Sequence, residues 1–387
     1  MAYTSVKGGA DAILAAERLI QELPLEPGEK LLELRQIRNQ MRAAVDQAMG
    51  EGGLYAPDLA ALAVKQAEGD MAEASFMVRA YRSTLPRLGY AQPARGDDML
   101  VERRISSSFR DIPGGQLLGR TRDYTQRLLD LERETSDAHL TPPTEPEAKP
   151  DAAPAPDWDG LLPKVSDAMR AMGIMKEFIE AEVEGEIDDI TRHSMRFPVS
   201  RPAWLQALAR SETGAMVCLA YSSLRGYGGG EHGTIAELRV GELPLKMVHP
   251  LTGKPMTVGH FRVTECEMTG KEYPKEGGKP SYGLSYGLTF GQNERKAISM
   301  SLLDSALMIG ASGEGNPAPA NDQEMVLYNS DGIESFGFVE HLKLPHFVTF
   351  GSGLQISLDE ASVRKPEGAN PTELVGAYPN AAAGAIQ

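Results

Sequence analysis

The chain has 387 residues, 41% of them hydrophobic, which is enough for two domains that each bury a core. A formal net charge of −15 argues against nucleic acid as the main partner, although an acidic average is compatible with a local basic pocket. No run approaches the ~18 apolar residues of a membrane span, and "MAYTSVKGGADA" lacks the basic-then-apolar order of a signal peptide, so a cytoplasmic protein with no membrane segment is predicted.

From the N-terminus, apolar residues recur at three-and-four spacing in "DAILAAERLIQEL", "KLLELRQIRNQMRAAVDQAMG", "APDLAALAVKQAEGDMAEASFMVRAYRSTL" and "RTRDYTQRLLDLERE". Residues 1–134 are therefore predicted to be a helical domain. In "FRDIPGGQLLGRTRDYTQRLLD", Arg110, Arg120 and Arg122 flank glycines ahead of the last of these helices, whose N-terminus would attract an anion. Arg110, Gly114 and Gly115 are candidate phosphate ligands; a turn with solvated arginines is the alternative. Residues 135–160, containing "TPPTEPEAKPDAAPAPDWD", are too rich in proline, alanine and acid to bury a core and read as a linker.

Residues 161–387 predict a mixed domain. "LLPKVSDAMRAMGIMKEFIEAEVEGEIDDI" returns to helical period, while "AMVCLAYSSL", "GTIAELRVGEL", "HFRVTECEMTG" and "YGLSYGLTF" read as strands bounded by glycine turns. "NERKAISMSLLDSALMIG" reads as an amphipathic helix stopped by glycine, and the tail after residue 352 is weakly patterned. Strands and helices do not alternate, which favours an α+β fold over a doubly wound sheet. The two cysteines, Cys218 and Cys266, sit in apolar contexts and read as buried free thiols, too few for a disulfide framework or an iron–sulfur cluster held by this chain alone.

Three stretches of this second half carry candidate chemistry. "SSLRGYGGGEHG" is the most glycine-dense; backbone amides at Gly226, Tyr227 and Gly228 with the Arg225 guanidinium could cradle a phosphate, or the stretch is a hairpin turn. In "TECEM", Glu265 and Glu267 alternate across Cys266, so a strand puts both carboxylates on one face, where they could act as acid and base, ligate a magnesium ion, or simply be solvated. In "FVEHLKLPHFVTF", His341 and His346 are five residues apart, which neither a helix nor a strand brings together. Pro345 supplies the break that would, because proline pushes Leu344 toward extended geometry. Two imidazoles are an incomplete zinc shell, and a helix cap, a packed pair or an anion site with Lys343 are the alternatives.

The motifs "VKGG", "ALAVKQAEGD", "RAYRSTL", "ERRIS", "DIPGGQLLG", "DYTQRLLD", "LAYSSLRGYG", "TECEM", "YGLTFGQNERKA" and "HLKLPH" occur in one order across residues 5 to 350. In that order the chain resembles the I subunits of the bacterial carbon–phosphorus lyase core complex. It departs from them in its longer linker, in 161–187 and in the tail after 352. The resemblance implies a step in which such a subunit, with companion G, H and L subunits, moves the ribose triphosphate of ATP onto methylphosphonate and releases adenine. The product is alpha-D-ribose 1-methylphosphonate 5-triphosphate. Alone, the resemblance implies a nucleosidase acting on ATP or GTP, with magnesium accompanying the nucleotide. It further implies packing against a radical J subunit, an ABC-type K subunit as a further candidate partner, and zinc held at the interface with J by His341 and His346.

Cleaving the glycosidic bond builds oxocarbenium character on the ribose, so the site needs a donor for the departing purine and a carboxylate near C1′. On the residues alone, Glu265 and Glu267 are the catalytic candidates. Arg110, Gly114, Gly115, Arg225, Gly226, Tyr227 and Gly228 are the candidates for binding the triphosphate and phosphonate. A non-catalytic scaffold and a nucleotide-binding subunit are the competing readings.

Overall fold

The computed structural model describes residues 9–22, 30–129, 131, 162–175, 188–227, 233–272, 281–313, 318–344 and 346–364. The predicted linker at 135–160, Gly228 and Pro345 lie outside the described residues. The chain divides into two compact units: Leu32–Ile333, and a smaller one drawn from the two ends of the chain, Met1–Leu31 with Glu334–Gln387.

Helix α1 (Gly9–Glu22) belongs to the smaller unit. The larger unit opens with α2 (Leu34–Gln40), α3 (Arg42–Gly52), α4 (Pro57–Gln66) and α5 (Met71–Thr84), which bury Ile37, Val45, Met49, Ala60, Val64 and Val78 in one cluster. Local chemistry sets the joints. Pro57 starts α4, Gly53 closes α3 in the left-handed region at φ 66°, and the Asp70 carboxylate caps α5 by accepting from the amides of Ala72 and Glu73 at 2.9 and 3.2 Å.

The predicted helix in "RTRDYTQRLLDLERE" does not form. The described chain through Leu129 is turns and coil, with Arg127 at φ 56°. Leu128, Leu129 and Leu131 stay exposed, so the apolar stripe meets no core, and a short helix without packing is marginal in water. The same N-terminal region contributes a strand, β1 (Leu100–Ile105), that helical periodicity gives no sign of.

Short helices α6 (Val165–Ala171), α7 (Arg201–Arg210) and α8 (Thr213–Ser222) follow. The last is the stretch expected as a strand. Its N-cap Glu212 accepts from the amides of Gly214 and Ala215 at 2.6 Å each, and Met216 and Ala220, four residues apart, are buried. A short apolar run fits either element, and here the cap and the four-residue spacing decide. Cys218 faces outward on this helix and is exposed; only Cys266 is the buried thiol the sequence implies.

Strands β2 (Thr234–Val248), β3 (Pro255–Glu272) and β4 (Ser281–Phe290) join β1 in an antiparallel sheet of order β1-β2-β3-β4. Helix α9 (Glu294–Ser312) lies against β3 and β4. It is buried on more than one side, Lys296, Ala297, Met300 and Asp304 included, and so is less amphipathic than expected. It also runs through Gly310, where the Asn321 carbonyl occupies the space of a side chain, and stops at Gly313 with φ 66°. Trp204, Leu208, Met216, Met300, Leu303 and Leu307 form a core between α7, α8 and α9, closed by Val326 and Leu327 of α10 (Gln323–Asn329).

Helix α11 (Gly332–Glu340) leads to a 3₁₀ turn at His341–Lys343, and α12 (Phe347–Arg364) gives the weakly patterned tail a regular helix. The fold is α+β, as the sequence implies. Among the described residues no helix is long and apolar enough to cross a membrane.

Candidate functional site

The sheet register assembles a charged cluster. Arg239 of β2 lies opposite Glu265 of β3, Glu237 opposite Glu267, and Tyr286 of β4 opposite Glu267; Arg104 of β1 lies opposite Arg239. Directly opposed residues project to the same side of a sheet, so one face carries all six. The Glu265–Glu267 alignment expected of "TECEM" is therefore present, and both side chains are buried.

Hydrogen bonds bind the cluster. Arg239 donates to Glu265 Oε2 through Nε at 2.9 Å and through Nη2. Lys164, at the N-cap of α6, bridges the two carboxylates, donating to Glu265 Oε1 at 3.1 Å and Glu267 Oε1 at 2.7 Å. The Tyr286 hydroxyl donates to Glu265 Oε1 at 2.9 Å. Arg104 donates to Glu237 through Nε, and the Val165 amide donates to Glu237 Oε2 at 3.0 Å. Oε2 of Glu267 is buried and accepts no well-formed hydrogen bond among the described residues; the Ser166 hydroxyl is the donor that faces this carboxylate.

This arrangement drives the two carboxylates apart in acidity. Burial works to raise Glu265, but the Arg239 guanidinium and then Lys164 outweigh it and hold the carboxyl below its ordinary value. Glu267 ends above its ordinary value, because burial and the charge of Glu265 outweigh Lys164. Tyr286 is held well above its usual range by burial and then by Glu265. Burial pushes the Cys266 thiol up to about 12, so it is inert as a nucleophile.

Gly96 lids the cluster. A Cβ there would clash with Glu265 Oε1 and stand 2.8 Å from Arg239 Nη2 and 2.9 Å from Lys164 Nζ. Gly96→Ala is expected to lower stability by about 1–3 kcal/mol, the usual range for overpacking. Urea unfolding checks it, and an unchanged midpoint would mean that the charged groups yield without cost.

The other candidates stand elsewhere. Arg225 and its neighbours Gly226 and Tyr227 form a π-helical turn that prolongs α8, not a hairpin. Arg225 is exposed, its guanidinium 5.9 Å from the centre of the Tyr221 ring. A helix C-terminus presents carbonyls, so the guanidinium is the group there that suits an anion. Gly114 and Gly115 both have positive φ, 82° and 75°, in a loop tied to β1 by the Arg104–Leu117 bridge. Arg110 on that loop is 95% exposed, with Asp111 at 3.9 Å, and no helix N-terminus follows it. The Gly114–Gly115 loop is joined to the cluster by Arg104, whose Nη1 donates to the Pro113 carbonyl, whereas among the described residues no hydrogen bond or ion pair joins the Arg225 turn to it.

His341 and His346 do come together, with ring centroids 5.3 Å apart. The 3₁₀ turn and Leu344 in extended geometry (φ −73°, ψ 155°) bring this about, as the X-Pro reading predicts. Nδ1 of His341 contacts the Phe338 carbonyl and Nδ1 of His346 the Leu344 carbonyl, the latter at 2.6 Å. A carbonyl only accepts, so both Nδ1 atoms carry the proton and both Nε2 lone pairs are free for a metal. The donor set thus fits zinc but supplies only two ligands. No group of three or more metal-binding side chains occurs among the described residues.

Sequence reasoning missed Lys164, Arg239, Glu237, Tyr286 and the fully buried Lys296. The signal for two of them was available: "AELRV" alternates Glu237 and Arg239 just as "TECEM" alternates its glutamates, and an arginine on one such strand suits a glutamate on the other. Lys164 and Lys296 gave none, each being a single lysine beside a helical pattern.

The chain thus combines a buried charged face on an α+β sheet with an imidazole pair that supplies two metal ligands. A family model described as bacterial phosphonate metabolism protein (PhnI) matches residues 2–361. The chain belongs to the PhnI family. It is 43% identical over 360 residues to the alpha-D-ribose 1-methylphosphonate 5-triphosphate synthase subunit PhnI of Rhizobium meliloti (strain 1021), covering 92% of this chain and 93% of that one. The corresponding Escherichia coli (strain K12) subunit is 43% identical over 356 residues, covering 92% and 97%. A Stutzerimonas stutzeri protein, HtxH, whose name places it among C-P lyase subunits, is 42% identical over 380 residues, covering 96% and 100%.

Proposed function

We propose that the chain is the I-type subunit of a carbon–phosphorus lyase core complex. With companion subunits it displaces adenine from magnesium-bound ATP by methylphosphonate, giving alpha-D-ribose 1-methylphosphonate 5-triphosphate; alone it is a purine nucleosidase on ATP or GTP. The observation that carries this reading is the match, at 42–43% identity over more than nine-tenths of the chain, to relatives of which two are named for that synthase.

In this reading the exposed guanidiniums of Arg225 and Arg110, with the amides of Gly114 and Gly115, take the phosphate and phosphonate oxygens. Glu267, whose Oε2 is engaged by no charged group, is the carboxylate available to the ribose, and Glu265, saturated by Arg239, Lys164 and Tyr286, positions it through Lys164. His341 and His346 hold a zinc ion shared with the J subunit, which would fix the two chains together. Phe338, Val339, Leu342 and Phe350 beside that pair are exposed, an apolar patch suited to a partner. The G, H and L subunits, and the K subunit as a further candidate, complete the assembly in the cytoplasm.

A scaffold role is the second reading, favoured by the burial and charge compensation of both glutamates. Chromatography of ATP incubated with the purified chain decides between them. Slow adenine release by the chain alone, diverted to the phosphonate ester when companions and methylphosphonate are added, is expected. Intact ATP in both mixtures would leave the scaffold.

A further inference from the structure

Between α3, α5, α7 and the ends of β3 and β4 lies a cavity of about 250 Å³. Phe261, Val263, Leu288 and Phe290 give it an apolar wall, with the Phe261 and Phe290 rings 6.0 Å apart at 87°. Gly53, which closes α3 in the left-handed region, keeps part of this space open: a Cβ there would already lie 3.5 Å from Arg82 Nη1 and 3.8 Å from Arg210 Cβ. Arg82 and Arg210 are the charged side chains of the lining. The Arg82 guanidinium is half-buried and makes no hydrogen bond or ion pair among the described residues. The carboxylates nearby are taken. Asp331 accepts from Arg79 at 2.8 and 2.9 Å, and Asp189 accepts from Arg87 at 2.8 Å and from the Thr191 amide at 2.9 Å. Burial and then Arg87 lower Arg82 from its ordinary value, Arg79 adds to this, and Asp189 works against them. The group that suits this guanidinium is therefore an anion from outside the chain.

We propose that this cavity binds a small organophosphonate, with its hydrocarbon substituent on the Phe261–Phe290 wall and its phosphonate oxygens on Arg82. The proposal rests on the phosphonate-using reading given above for the head group, and it names the pocket that receives the substituent.

Size and chemistry select that class. An apolar wall beside an unpaired guanidinium suits an anion that carries an apolar body: a bare phosphate would leave the wall uncovered, and a neutral hydrocarbon would leave the guanidinium without an acceptor. The cations around the site favour a head group with two negative charges, since Arg79 and Arg87 stand near Arg82 and both neighbouring carboxylates are already paired. The volume is below the ~300 Å³ and more that hold a drug-sized ligand, too small for a whole nucleotide. A methyl group fills little of it, so propyl and phenyl substituents fit the space better.

The location fits the reading. Val263 is two residues before Glu265 on the same face of β3, and Leu288 is directly opposite Glu265 on β4, so the apolar wall begins one rung, ~7 Å along the strand, from the carboxylate pair assigned to the ribose. A substituent seated on that wall would anchor the phosphonate without occupying the carboxylates.

The test uses the full-length chain, alone and with its companion subunits, as wild type, Arg82→Gln and Ala209→Leu; Ala209 of α7 also lines the cavity. Calorimetry reads binding of inorganic phosphate, methylphosphonate, propylphosphonate and phenylphosphonate, and chromatography reads adenine release from ATP. Affinity is expected to rise about 4-fold for each CH2 added between methyl and propyl, the equivalent of ~0.8 kcal/mol per buried methylene, with inorganic phosphate weakest. Arg82→Gln should weaken every phosphonate about 10-fold or more, as loss of a charge-assisted hydrogen bond does. Ala209→Leu, which adds apolar bulk to the lining, should keep methylphosphonate binding and lose the gain for propyl and phenyl. No binding of any phosphonate, inorganic phosphate bound as tightly as phenylphosphonate, or wild-type affinities in Arg82→Gln would overturn the pocket, and adenine release in the same preparations would leave the enzyme reading standing. Graded binding that needs Arg82, with no adenine released from any mixture, would keep the pocket and sink that reading. If Ala209→Leu does not fold, the Arg82→Gln affinities decide by themselves.

Discussion

Replacing Arg239 by methionine is expected to lower the unfolding free energy by about 3–5 kcal/mol, the range for removing one partner of a buried ion pair. Arg239 and Glu265 are 1% and 2% exposed, and the guanidinium supplies both of the hydrogen bonds that Glu265 Oε2 accepts. Without it, Glu265 keeps Lys164 and Tyr286 on its other oxygen and faces Glu267 with less compensation. Chemical denaturation of Arg239→Met beside the Arg239→Met, Glu265→Leu double variant isolates the cause. The double variant should recover much of the loss, because it removes the uncompensated carboxylate; equal loss in both would assign the effect to packing.

The acid side of the stability profile should move with it. Glu265 is depressed below the ordinary 4.5, so its stabilising contribution is complete above that value and is lost as pH falls through the folded-state value. Glu267 is shifted the other way: it favours the folded state while protonated and withdraws that contribution as pH rises from 4.5 through its higher value. Removing Arg239 raises Glu265 as well, so the variant should lose less stability than the wild type on acidification. Parallel acid limbs would contradict the pairing.

His341→Ala and His346→Ala are each expected to deplete zinc from the assembled complex to a small fraction of the wild-type content. Both free Nε2 atoms belong to one pair 5.3 Å apart between ring centres, and losing either leaves an ion short of the four ligands that zinc prefers. The isolated chain, with two ligands, should hold the metal weakly. Elemental analysis of chain, complex and variants measures this. Full zinc in either variant, or none in the wild-type complex, would remove the site. Adenine release by zinc-depleted complexes at the wild-type rate would assign the ion to assembly.

Sequence by itself determined the pieces whose logic is local. Alternation put Glu265 and Glu267 on one face because a strand's side-chain period is two, and the break ahead of Pro345 let His341 meet His346 because the turn needs no distant partner. The α+β class and the three long strands followed from periodicity and glycine turns, and the ten ordered motifs carried the family. Tertiary structure decided whatever depended on a neighbour remote in the chain. "RTRDYTQRLLD" has helical period but no core to cover, and "AMVCLAYSS" became a helix through the Glu212 cap and its packing on α9. Strand pairing, not spacing, brought Arg239 and Tyr286 to the glutamates, and Lys164, 101 residues away from Glu265, bridges them from the start of α6. Lys296 carries the same lesson: a lysine on a helix is ordinarily solvated, and only the approach of α3 with a glycine at residue 50 buried this one without a partner.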